Sequence, residues 1–296
     1  MRLGITPPLF TMTPHGHAPW EVDAQFDDVV PLVEAADRLG FEYMTCSEHV
    51  IIPNDVATVR GGRYWDPLAT FGYLAARTER IRFATYVLVL GYHHPLEIAK
   101  RYGTLDRISG GRLILGVGVG SLQQEFELLG AAFDGRGARG DDALRALRTS
   151  FGRRQPEYHG EFYDYDGVLV DPCGVQTTVP LWIGGRTARS LRRAVELADG
   201  WAPFGLSLEE ETALLARARA TDAWARRQHA VDLPPFEVVL PSGRLLAPVE
   251  EPGAAEEALG ALAAAGATLA NVSFRHRSPQ HYVEQIEAMA ELAKEV

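Results

Sequence analysis

Short apolar runs alternate with segments whose apolar residues recur every three or four positions, and the alternation continues along the whole chain. Arg2–Leu9 reads as a buried strand. Phe26, Val29, Val33, Ala36 and Leu39 then repeat at helical spacing, and Gly40 stands where a helix-terminating glycine belongs. A second strand is predicted over Glu42–His49, followed by a loop rich in Pro, Gly and Asn from about Val50 to Tyr64. Helix Asp66–Arg77 leads into strand Ile81–Leu90. Pro95 opens a helix toward Ile108, Gly110 and Gly111 stop it, and Arg112–Val119 is the fourth strand.

The second half is less even. A helical stretch around Asp141–Ser150 precedes His159–Val170, an alternating aromatic segment that predicts a hairpin insertion. Strand Pro180–Ile183, helix Thr187–Ala198, short strand Trp201–Pro203 and a long helix from about Leu208 to Gln228 come next. Phe236–Leu246 is a strand interrupted by Pro-Ser-Gly, and helix Ala254–Ala265, strand Leu269–Phe274 and helix Pro279–Lys294 complete the series. Eight strand–helix units over 296 residues favour a closed (β/α)8 barrel, a TIM barrel of the α/β class, over a doubly wound sheet. No linker-like shift in composition divides the chain. One domain over 1–296 is expected, with insertions at about 50–65 and 157–172, and an active site at the C-terminal ends of the strands.

Composition narrows the function. A formal net charge of −10 argues against binding nucleic acid by covering phosphates with Lys and Arg. Cys46 and Cys173 have neither CxxC nor metal-ligand spacing, so no disulfide framework is expected and a reducing cytoplasm is the natural home. MRLGITPPLF breaks at a Pro pair and does not read as a signal peptide. No apolar run approaches the length that spans a bilayer.

Candidate chemistry clusters at strand ends. Strand two ends in Ser47-Glu48-His49, where an imidazole beside a carboxylate offers a proton donor or acceptor near neutrality, or merely bonds the following loop. Strand four ends in Gly116-Val117-Gly118-Val119-Gly120-Ser121. Alternate glycines let a flat ring or a phosphate chain approach the backbone, or relieve crowding inside the barrel. Its spacing is not that of a Rossmann fingerprint. Strand five ends in Gly184-Gly185-Arg186-Thr187 before a helix, which suits an anion site and also suits an ordinary glycine turn. His15 and His17 sit in a Pro/Gly-rich loop, and His93-His94 precede Pro95 without a carboxylate or Cys at metal-like spacing, so no metal site is expected.

Together these segments resemble the luciferase-like flavin and deazaflavin oxidoreductases. The resemblance is carried by Leu39-Gly40-Phe41, Ser47-Glu48-His49-Val50, Thr78-Glu79-Arg80-Ile81-Arg82, the run from Leu105 to Leu113, Gly116 to Gly120, Glu125-Phe126, Gly184-Gly185 and Asp199-Gly200-Trp201. The subgroup it is most similar to uses coenzyme F420, a 5-deazaflavin, in place of FMN. The resemblance implies a bulge with a non-proline cis peptide at Tyr86-Val87 beneath the ring, and Gly118, Gly120 and Ser121 beside it. It also implies that Gly184, Gly185 and Arg186 bind the cofactor phosphate, that His49 handles the proton, and that Glu48 orients His49 or contacts the cofactor. The implied reaction is hydride transfer between F420 and a small organic substrate, the cofactor being serviced by a separate reducing enzyme. Two other readings share the barrel: a two-component monooxygenase using FMN and oxygen, and a non-catalytic flavin-binding protein. Relatives of this kind often form homodimers. Relatives often carry Trp where Ser121 stands and Arg-Asn where His93-His94 stand; both positions border the substrate side.

Overall fold

A computed structural model describes residues 1–14 and 16–294; His15 therefore lies outside the described residues. Eight parallel strands close into a barrel: β1 (Arg2–Ile5), β2 (Tyr43–Cys46), β3 (Arg82–Thr85), β4 (Leu113–Gly118), β5 (Leu181–Gly184), β6 (Gly200–Ala202), β7 (Glu237–Leu246) and β8 (Leu269–Phe274). Pairing of β4 with β5 and of β8 with β1 completes the ring. One helix follows each strand on the outside: α1 (Val30–Leu39), α2 (Pro67–Ala75), α3 (Pro95–Ser109), α4 (Arg136–Ser150), α5 (Ala188–Leu197), α6 (Leu208–Arg219), α7 (Pro252–Ala265) and α8 (Pro279–Leu292).

Local chemistry sets the helix limits. Pro opens α2, α3, α7 and α8, where its missing N–H costs nothing. Asp66, Thr187, Ser207 and Ser278 accept a first-turn N–H as N-caps. Gly40 and Gly110 end α1 and α3 at φ of 83° and 71°, a conformation in which only glycine is free of strain.

Two apolar clusters follow from the closure. One, inside the barrel, contains Tyr43, Ala84, Ile114, Trp182, Val239 and Leu269. The Tyr43 ring lies where a side chain on Gly4 would stand, and it meets Trp182 edge-on at 5.0 Å. A larger cluster fills the space between strands and helices. Below the barrel layer, Trp182 donates to Glu237 at 2.7 Å, and Glu237 pairs with Arg2 at 3.1 Å, closing the N-terminal end.

Several boundaries differ from the sequence pattern. β1 stops at Ile5 because Pro7 and Pro8 have no N–H for a ladder. The strand expected over 81–90 is interrupted after Thr85 by a cis Tyr86–Val87 peptide, and Leu88–Val89 rejoins the sheet against Val117 and Gly118. The helix expected over 208–228 is two helices, because Thr221 caps a new one at Asp222–His229. The 50–64 loop contains helix Asn54–Arg60, and its Arg63–Tyr64 pairs antiparallel with Thr11–Met12. Tyr158–His159 pairs antiparallel with Asp164–Tyr165. Among the described residues, no helix is long and apolar enough to cross a membrane.

Candidate active site

β2 leaves the sheet after Cys46, and the next three residues turn into the barrel mouth. The Ser47 hydroxyl donates to the Tyr86 carbonyl at 2.8 Å, and the Glu48 N–H donates to the Val87 carbonyl at 3.3 Å. These bonds tie the end of β2 to the bulge after β3.

Glu48 and His49 do not pair with each other, which corrects the expectation that Glu48 orients His49. Consecutive residues point in different directions, and each finds its partner on another strand end. Glu48, almost fully buried, accepts the Val89 N–H at 2.7 Å and meets His93 Nε2 at 2.7 Å. His49 Nδ1 meets Glu125 Oε2 at 2.8 Å, and its ring packs edge-on against Tyr64 at 4.6 Å. Two imidazole–carboxylate pairs thus stand side by side.

Glu125 organises the second pair. It is fully buried and also accepts the Val50 N–H at 2.7 Å, the Ile51 N–H at 3.1 Å and the Tyr92 hydroxyl at 2.9 Å. Burial alone would push its carboxyl up, but the bonds from His49, Ile51 and Tyr92 outweigh it and hold it below the ordinary glutamate range. An ionised Glu125 can only accept, so it favours the tautomer of His49 that donates from Nδ1 and carries the lone pair on Nε2. Burial works against the charged form of His93, but Glu48 and Glu97 outweigh it and raise its pKa above the usual imidazole value.

A low pKa gives Glu125 a testable acid response. Its contribution to stability is complete above the ordinary glutamate range and is lost as pH falls through the lower folded-state value. Melting temperatures of wild type and Glu125→Gln are expected to differ at neutral pH and to draw together as pH falls below the ordinary glutamate range. A gap that stays constant down to acid would contradict an ionised Glu125.

Val87 forms the opposite side of the mouth. A side chain on Gly118 would begin 2.8 Å from Val87 Cγ2, and one on Gly184 would begin 2.3 Å from Val87 Cγ1. The two glycines therefore seat Val87, and it is Val87 that presents an apolar surface to the mouth. Tyr86 turns inward, its hydroxyl donating to the Pro203 carbonyl and its ring edge-on to Phe204 at 6.2 Å. Gly120 (φ 77°) is packed against Phe126 and Val89, and Ser121 is exposed beside it.

The turn after β5 supplies the cationic element. Gly185 takes φ 128°, and a side chain there would press on Ser190. Thr187 and Ser190 cap α5 reciprocally, at 3.2 Å each way. The first N–H groups of α5, ahead of the capped Ser190, face outward as such groups do at every helix start. Arg186 is exposed and its guanidinium lies over Gly205.

Contacts thus link Glu48, Val87, Gly118, Gly120 and Gly184 around the bulge after β3; His49, Tyr86 and Gly185 lie at adjoining strand ends, and Ser121 and Arg186 are exposed. Sequence reasoning missed three partners. Glu125 entered the resemblance without a role, Tyr92 gave only a lone aromatic, and nothing near His93 in sequence pointed to Glu48. His94 is an N-cap packed on Tyr163 of the hairpin, and His17 bonds its own loop at Thr13. An open cavity of about 490 Å³ lined by Gly62, Arg63, Tyr64, Trp65 and Asp66 adjoins the Tyr64 ring.

An uncharacterized protein of Mycobacterium tuberculosis is 30% identical over 230 residues, 74% of this chain and 77% of its own length. The coenzyme F420 dependent tetrahydromethanopterin reductase of Methanopyrus kandleri superimposes with a TM-score of 0.70 at 15% identity, over 91% of this chain and 95% of that one. The oxygenating constituent of 3,6-diketocamphane monooxygenase of Pseudomonas putida, in complex with FMN, superimposes with a TM-score of 0.72 at 16% identity, over 100% and 98%. Those two likenesses establish the barrel. The profile of the luciferase-like monooxygenase family matches residues 8–295, nearly the whole chain, and the protein belongs to that family.

Proposed function

We propose that the protein is an oxidoreductase that moves a hydride between a deazaflavin, coenzyme F420, and a small organic substrate, with His49 managing the accompanying proton. The observation that carries this reading is the His49–Glu125 pair: Nδ1 is held at 2.8 Å by a buried carboxylate, which leaves Nε2 as the reactive nitrogen at the mouth.

The residues present fit a planar ring with an anionic tail. Val87, seated on Gly118 and Gly184, offers an apolar support. Gly184, Gly185 and Arg186 would hold the phosphate, beside the start of α5. Bound there, the deazaflavin supplies a carbon that carries two electrons as hydride. His49 Nε2 would take a proton from the substrate, or return one to it in the reverse direction, while Glu125 stays ionised and stabilises the imidazolium. The Glu48–His93 pair continues to Glu97 at 3.7 Å, toward the surface. A separate enzyme would restore the cofactor between turnovers, and the other partners would be the small-molecule substrate and a second copy of this chain.

FMN-dependent monooxygenation is the second reading, favoured by the likeness to the FMN-bound oxygenating constituent. Titration of the purified protein with each oxidised cofactor, followed by absorbance and fluorescence, separates the two. F420 is expected to bind at least about ten-fold more tightly than FMN. Tight FMN binding without response to F420 would replace the first reading with the second, and binding of neither would remove both.

A further inference from the structure

The bulge after β3 is gripped at both ends by one residue. Glu48 donates its N–H to the Val87 carbonyl at 3.3 Å, and its carboxylate accepts the Val89 N–H at 2.7 Å. Val89 in turn pairs with Gly118, and its Cγ1 lies 2.8 Å from where a side chain on Gly120 would begin. Whatever fixes the Glu48 carboxylate therefore fixes the segment from Val87 to Val89.

His93 fixes it. The second Glu48 oxygen meets His93 Nε2 at 2.7 Å, and the two side chains are only 6% and 12% exposed. Among the described residues, the Glu48 side chain has no partner besides His93 and the Val89 N–H. A carboxylate so far from water and served by one backbone donor depends on its countercharge. On the far side of the ring, Glu97 of α3 lies 3.7 Å from Nδ1, and Arg101 of the same helix takes that Glu97 oxygen at 2.7 Å. Carboxylates thus flank both imidazole nitrogens. Burial and Arg101 oppose the charged ring, but the carboxylates outweigh them and raise its pKa.

Other titratable groups nearby are committed elsewhere. The Tyr92 hydroxyl donates to Glu125, and burial pushes the Tyr102 hydroxyl and the Cys46 thiol up, which keeps both neutral. His94 turns away to pack on Tyr163, and burial disfavours its charge. Because the His93 value is raised, the pair contributes fully below the ordinary imidazole range. That contribution is lost as pH rises through the higher folded-state value.

We propose that His93 is a positioning residue whose positive charge holds Glu48 and, through it, the Val87–Val89 segment, so that the segment loosens and cofactor affinity falls as the imidazole loses its proton. The effect on the cofactor rests on the proposed function, in which Val87 supports the ring; the grip on the segment does not. Arginine would make the same ion pair at every pH, whereas histidine makes it conditional.

The test compares wild type with His93→Gln, which keeps a donor without the charge, and His93→Arg, which keeps the charge. Dissociation constants for F420 and FMN are measured by fluorescence from about pH 6 to about pH 9. Hydrogen exchange of the Val89 amide is followed by NMR in the unloaded protein. Ratios between variants remove the ionisation of the cofactors and of His49. Wild type is expected to bind about ten-fold more tightly than His93→Gln at the acid end and equally at the alkaline end. His93→Arg is expected to keep the acid-end advantage throughout, and Val89 protection is expected to follow the same order. A ratio of wild type to His93→Gln that stays constant with pH would overturn the proposal, as would a His93→Arg affinity that falls in parallel with wild type. Altered melting temperatures with Val89 protection and affinity unmoved would make His93 merely structural and would overturn it too. Should neither cofactor bind wild type, the functional reading fails, while Val89 protection in the unloaded protein still decides whether the His93 charge holds the segment.

Discussion

Replacing Glu125 by Gln is expected to lower cofactor-linked turnover on the order of 10³-fold while leaving cofactor affinity nearly unchanged. Glutamine nearly preserves the shape but brings an amide N–H₂ group to a place where four donors converge. Its single carbonyl oxygen can still serve Val50 and Ile51, so the N–H₂ group faces His49 Nδ1 and the Tyr92 hydroxyl. His49 then becomes an acceptor at Nδ1 and carries its proton at Nε2, the opposite of what a base at the mouth needs. The mismatch is also expected to destabilise the fold by about 1–3 kcal/mol. Nitrogen-15 NMR of the imidazole reads the tautomer directly, without any substrate. A variant with the wild-type tautomer and wild-type turnover would take Glu125 out of the machinery. His49→Ala, which removes the proton carrier altogether, is expected to be at least as slow.

Gly184→Ala is expected to weaken cofactor binding about ten-fold or more and to cost about 1–3 kcal/mol of stability, and Val87→Ala in the same chain is expected to restore much of both. The new Cβ would stand 2.3 Å from Val87 Cγ1. Valine is stiff at χ1, and its other methyl is already pressed toward Gly118, so rotation brings no relief. Only displacement of the bulge does. Trimming Val87 removes the collision, and the coupling is read as the departure from additivity in a double-mutant cycle of cofactor affinity and unfolding free energy. If the ring instead lay directly on the backbone of Gly184, the single and double variants would bind equally badly. That result would reassign the strand-end glycines from seating Val87 to touching the ring.

Most of the barrel was legible along the chain. Apolar periodicity switched between strand and helix eight times, and Pro, Thr, Ser and Gly punctuation marked the ends, because both signals depend on neighbours within a few residues. Where a local signal was misread, another local signal won: Thr221-Asp222 restarts a helix that the apolar pattern alone would carry through. The strand ends that border the mouth were legible for the same reason, since closure of a parallel barrel brings all eight to one face.

Pairings were not legible. Ser47-Glu48-His49 announced an acid beside an imidazole, but adjacent residues on an extended chain diverge, so the partners had to come from other strands. Glu125 is 76 residues from His49, and His93 is 45 from Glu48. Nothing in the sequence around either end names the other. The same holds for the glycines of β4 and β5, whose absent side chains look like room for a ligand until Val87, arriving from β3, fills it. Sequence by itself determined which strand ends meet on one face of the barrel, through periodicity and chain-local caps. Only the tertiary structure decided which of them touch, because hydrogen-bond partners and packing neighbours there are set by strand order and register around the closed barrel.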